Sequence, residues 1–136
     1  MAAKLNNSAT LEKAEMDGAI AAIGNAALLY IYSGTQPSGT AGADGTLAAG
    51  PFTCGSPFAP AASSALPSVV SPTLPSNVNA SASIQPTWWR VKTSGGTPMQ
   101  DGSAGTSGCD MTIGPTTSGQ PVAIAAWGFN SATFGH

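Results

Sequence analysis

Charge is scarce in this sequence. Only ten of its 136 residues, 7%, are Asp, Glu, Lys or Arg. Histidine occurs once, as the last residue, His136. From Gly45 to Trp89 the thiol of Cys54 is the one ionisable side chain. Catalysis needs groups whose pKa can be tuned, and metals need ligands. A serine–histidine–acid triad would have to centre on His136, a poor place for a base that must be held rigidly. Zinc would need Cys54, Cys109, His136 and a fourth ligand, at spacings that fit no zinc pattern. Paired carboxylates for glycoside hydrolysis would have to come from Asp44, Asp101 and Asp110. All three lie beside glycines or turns, where Asp reads as a turn-former. Gly102–Gly105 and Gly105–Gly108 are glycine-rich but lack Gly-Lys-Ser/Thr and a following helix, so they read as tight turns. Loop aspartates make calcium the least improbable metal. The sequence therefore reads as a non-enzyme with no cofactor, working by surface contact.

Other absences narrow the class further. No basic patch offers to neutralise phosphates, and the formal net charge is −2, so nucleic acid is not an expected partner. No apolar run approaches the roughly 20 residues that span a bilayer, so no membrane association is expected. The first seven residues carry no apolar signal-peptide core, which argues against secretion by that route. In a chain made in a cytoplasm, Cys54 and Cys109 are expected as free thiols. Whether they meet in space is not readable from their positions.

What the chain does hold is small and apolar. Hydrophobic residues make up 42%, with 17 glycines and 11 prolines. Its length fits a single domain, 1–136, whose core combines small residues with a few large anchors. Five of the ten charges fall in the first seventeen positions: Lys4, Glu12, Lys13, Glu15 and Asp17. Met16, Ile20, Ile23 and Ala27 recur there at helical spacing, with Leu11 and Ala19 close to the stripe. A helix is expected within 8–26, capped by Ser8 or Thr10 and stopped at Gly24-Asn25. It serves either as an arm on a neighbouring subunit or as a cover over its own sheet.

The region 28–130 reads as a β-sandwich. Leu28–Tyr32 is a strand with two apolar faces. The stretch 34–85 is rich in Pro, Ser and Ala, and its prolines exclude long central strands. Phe52, Phe58, Leu66, Val69, Val70 and Leu74 give it enough anchors to be short strands and loops rather than a disordered linker. Thr87–Lys92 is a second strand, with Trp89 and Val91 on one face and Trp88, Arg90 and Lys92 on the other. A turn at Ser94–Thr97 leads into a return strand over Pro98–Asp101, ended by Asp101-Gly102. Cys109–Ile113 is a short strand. The last strand runs from about Pro121 to Phe129; Ile124 and Trp127 have opposite parity, so either both faces are buried or a bulge at Ala125-Ala126 shifts the phase, the bulge being favoured. Trp88 beside Arg90 is either an exposed interface anchor or a buried ring with Arg90 lying across it.

Several runs together resemble a known family. Thr87-Trp88-Trp89-Arg90-Val91 is followed by Asp101-Gly102-Ser103, Gly105-Thr106-Ser107-Gly108-Cys109-Asp110-Met111 and Gly119-Gln120-Pro121-Val122, with an aromatic near the end. Leu29 to Pro37 adds a strand that runs into Ser-Gly-Thr-Gln-Pro. The set is similar to small virion structural proteins of tailed bacteriophages, and resembles their capsid decoration, or cement, proteins. Cys109 departs from that pattern, where a small polar residue is common, and so does the proline-rich stretch from Pro51 to Pro75. The resemblance implies a mainly β, antiparallel, jelly-roll-like sandwich with one N-terminal helix. It also implies a homo-oligomer on the outer capsid surface, made in the host bacterial cytoplasm, that bridges neighbouring major capsid proteins. Trp88, Arg90, Lys92, Phe52 and Phe58 are then the expected partner-binding residues. The rival expectations are a tail or neck component, or a virion-displayed carbohydrate- or receptor-binding sandwich with Trp88 beside Asp101 as its sugar platform.

Overall fold

The structure is a computed structural model that describes residues 8–64, 68–73 and 78–130, the side chain of Asn130 excepted. Lys4, Leu66, Leu74 and His136, all named above, lie outside these residues.

The helix α1 runs Ala9–Ile23. The Ser8 hydroxyl accepts from the Leu11 N–H at 3.1 Å, and Gly24, at φ +82°, ends the helix by donating to the Ile20 carbonyl. Met16, Ile20 and Ile23 form its buried stripe, as their spacing predicts, while Leu11 remains 48% exposed. The helix covers its own chain. The Asp17 carboxylate accepts from the Ala62 N–H at 2.7 Å and pairs with Lys13, and Glu12 accepts from the Ser68 N–H at 3.4 Å. These contacts tie α1 to the proline-rich middle.

Eight strands follow among the described residues: β1 (Leu28–Ser33), β2 (Thr46–Thr53), β3 (Val69–Val70), β4 (Trp88–Lys92), β5 (Pro98–Gly105), β6 (Met111–Thr112), β7 (Ala126–Trp127) and β8 (Phe129–Asn130). Six form a sheet in the order β2-β1-β4-β5-β6-β7, and β3 pairs with β8 in a separate ribbon. The mainly β character and, among the described residues, a single helix are thus present. The six-stranded sheet curls as a half-barrel, and no two-sheet sandwich is established among the described strands.

The expectation of a purely antiparallel sheet is corrected by one pair, because β5 and β6 run parallel. Their connection is short. Ser103 and Asp110 exchange three hydrogen bonds across it and Gly108 takes φ +68°, so the chain coils back and re-enters beside Ala104 in the same direction.

As expected of its prolines, the middle holds no long central strand among the described residues. β2 runs eight residues through Pro51, because it is an edge strand and its pairing with β1 is irregular there: between the Leu29–Phe52 and Ile31–Ala49 pairs, Gly50 and Pro51 stand against Tyr30 alone. Much of the middle is loop rather than strand, yet Phe58, Ala59, Ala62, Val70 and Ala80 are buried. The middle is therefore part of the core.

The expected final strand is two pieces. Trp127 pairs with Met111 in the large sheet, whereas Phe129 pairs with Val70 in the ribbon. The chain changes sheet at Gly128, whose N–H donates to the Asp110 carbonyl. Residues 122–125 belong to no strand, so the differing parity of Ile124 and Trp127 needs no bulge at Ala125-Ala126, and both Trp127 and Phe129 reach the core. There Trp127 meets Phe58 and Trp89 edge-on, at 5.4 and 5.3 Å between centroids.

Candidate functional site

The β1–β4–β5 register builds the most organised polar feature of the chain. Tyr32 stands opposite Trp88 and Trp88 opposite Ser103, while Tyr30 stands opposite Arg90 and Arg90 opposite Asp101. Alternation therefore places Tyr30, Tyr32, Trp88, Arg90, Lys92 and Asp101 on one face and Leu29, Ile31, Trp89 and Val91 on the other. The second face is the apolar core. The first is covered by the loop 34–45.

Arg90 holds that loop down. Its Nε and Nη2 donate to the two carboxylate oxygens of Asp101, at 2.7 and 2.9 Å, in a bidentate fork. Its Nη1 donates to the Gly42 carbonyl at 2.8 Å and to Asp44 at 2.9 Å. The guanidinium carbon lies 5.1 Å from the Trp88 ring centroid. Only 1% of the Arg90 side chain and 5% of Asp101 is exposed, against 49% of Asp44. Lys92 reaches Asp44 at 3.3 Å and sits 4.7 Å above the Tyr30 ring. Gly45 completes the seat. A side chain there would stand 2.9 Å from the Ser33 carbonyl and 3.0 Å from Trp88, so only glycine lets the loop cross the indole.

The electrostatics follow from this geometry. The Asp101 carboxylate holds the Arg90 guanidinium charged, raising its pKa against the opposing effect of burial. Burial pushes the Asp44 carboxyl up, but hydrogen bonds from Arg90 and Lys92 overcome this and leave it below the usual carboxylate range. Burial, with the nearby Asp44 carboxylate, raises the Tyr32 phenol well above its ordinary value and keeps it protonated. None of these shifts moves a group toward neutrality, where acid–base chemistry operates. The arrangement clamps a loop.

The five residues expected at a partner surface are therefore relocated. Trp88 and Arg90 are buried under the loop 34–45, with Arg90 across the indole, so the buried alternative holds for this pair. Phe52 and Phe58 are buried in the core. Of the five, Lys92 alone keeps some exposure, 16% of its side chain. The sugar platform expected of Trp88 is likewise closed. Asp44 and Asp101, expected only to form turns, are the ligands of Arg90, and Asp101 lies inside β5. Asp110 caps Ser103.

Both cysteines are free. Cys54 is buried, and burial pushes its thiol up to about 12. Among the described residues, no three His, Cys, Asp or Glu side chains gather into a metal-sized group, and no helix is long and apolar enough to cross a membrane. No protein-family model, curated protein sequence or solved structure matches this chain.

Proposed function

We propose that this chain is a capsid decoration protein of a tailed bacteriophage. In this reading it lies on the outer head shell and bridges neighbouring major capsid proteins against the pressure of packaged DNA, acting as a homo-oligomer. The half-barrel and the β3–β8 ribbon take the part of the two layers of a jelly-roll sandwich.

One observation carries the reading beyond the sequence resemblance. Most of the charges are paired with one another or with the backbone of the fold, and the exposed loops are almost uncharged. Arg90, Asp101, Asp44 and Lys92 form one network, Lys13 pairs with Asp17, and Asp110 caps Ser103. The exposed positions of 34–45, 60–64 and 114–121 are Gly, Ala, Ser, Thr, Pro and Gln, with Asp44 the one exception. Such loops approach another backbone with little desolvation penalty. Stiffened by proline, they lose less entropy on docking. Modest affinity per copy suffices, because many copies act together on one lattice. The contact surface is thus assigned to these neutral loops.

The test is the quantitative protein composition of separated heads and tails. Decoration requires hundreds of copies per particle, all on heads. A dozen or fewer, on necks or tails, would sink the proposal in favour of a tail or neck component. Stripping the protein should also lower the temperature at which full heads burst.

A further inference from the structure

The loop 36–40, the outer edge of β5 and Phe129 enclose a half-open cleft of about 530 Å³. This lies within the roughly 300–1,000 Å³ range of small-molecule sites. We propose that the cleft binds a neutral saccharide, recognised through the side chains of Gln36, Ser38, Thr40 and Gln100.

The chemistry of the lining selects that class. Amides and hydroxyls both donate and accept, and so do sugar hydroxyls. Gln100 Oε1 is buried and has no hydrogen-bond partner among the described residues. A buried acceptor left unpaired is destabilising, and a ligand hydroxyl would satisfy it. Among the described residues no lysine or arginine lines the cleft, so its lining does not attract an anion. Of the two acids, Asp101 is neutralised by Arg90 and Asp110 is occupied by the Ser103 N–H and hydroxyl. Met99, 36% exposed, offers apolar surface for the C–H face of a sugar ring, and the largely buried Phe129 forms part of the cleft wall.

The obvious rival, an extended peptide adding to the β5 edge, meets a blocked edge. The Ser103 N–H is taken by Asp110, and its carbonyl accepts from Trp89 Nε1 at 3.0 Å. A register irregularity at Met99 breaks the ladder beside them. An incoming strand would find too few free main-chain groups in line.

The experiment applies the full chain to an array of neutral hexose, deoxyhexose and N-acetylhexosamine oligosaccharides, with a peptide array in parallel. The expected result is retention on a neutral glycan, weakened at least tenfold by Gln100→Met and by the loop variant Ser38→Ala/Thr40→Ala. If Gln100→Met fails to fold, the loop variant decides. A blank glycan array, retention on peptides alone, or variants that bind like the parent would overturn the proposal. Attachment to heads is a separate measurement, so either reading can fail without the other.

Discussion

Replacing Asp101 by alanine tests the clamp most directly. Arg90 would keep its place under the loop 34–45 and lose the fork that makes two of its four hydrogen bonds. Its nearest remaining counter-ion, Asp44, is half exposed. Leaving a buried cation uncompensated costs about 3–5 kcal/mol. Domains of this kind hold roughly 5–15 kcal/mol in total. At a few degrees per kcal/mol, the thermal midpoint should fall by on the order of 10–20 °C. Differential scanning calorimetry at pH 7 reads this directly.

A companion variant separates the charge from the hydrogen bonds. Arg90→Met/Asp101→Leu replaces the pair with apolar groups of similar size, which is often neutral or stabilising. Its midpoint should return to within about 5 °C of the parent. The loop 34–45 would still lose its ties from Arg90 to Gly42 and Asp44, so limited proteolysis should cut there although global stability has recovered. The reasoning fails if Asp101→Ala melts like the parent, or if the double variant is as unstable as the single one.

Acid should loosen the outer tie of the clamp, at Asp44, and the tie of α1, at Asp17. The Asp17 and Asp44 carboxyls are both held below their ordinary value of 3.8. Their contribution is therefore complete above that value and is lost as pH falls below it. Thermal midpoints should stay flat down to about pH 4 and then fall, with Asp44→Asn flattening the slope; a decline already under way at pH 6 refutes this. Gly102→Ala would place a methyl 2.2 Å from the Trp89 ring. Overpacking of this kind costs about 1–3 kcal/mol, and near-UV circular dichroism should report the displaced indole; an unchanged spectrum and midpoint would count against it. In the native protein only Cys109 should react with a thiol reagent at pH 8, and Cys54 should join it after denaturation, because burial holds its thiol near 12. Rapid native reaction of both thiols would contradict the burial of Cys54.

The helix and the Trp88–Lys92 alternation were legible because each depends on a short-range period: 3.6 residues for Met16, Ile20 and Ile23, and 2 for Trp89 and Val91. The partner surface was misplaced because alternation says which side chains share a face, not whether a distant loop covers it. What covers Trp88 and Arg90 comes from Gly42 and Asp44, more than forty residues earlier in a stretch without a strong pattern. The Arg90–Asp101 pair was hidden for a sharper reason. Thr93 donates to the Thr97 carbonyl, and counting back along the hairpin from that closure sets Arg90 opposite Gln100. On that register Asp101 would face the core. The structure instead pairs Lys92 with Pro98 and Val91 with Gln100, leaving Met99 as one extra residue on β5. That single bulge turns every later side chain of β5 to the opposite face. It brings Asp101 to Arg90 and sets Gly102 under Trp89, where no side chain fits. It also allows the Trp89 indole to pass beneath the strand and cap the Ser103 carbonyl on the far edge. Asp101-Gly102 looked like a turn because both residues favour turns. In β5 each is selected by what lies opposite: a buried cation for the aspartate and a tryptophan ring for the glycine.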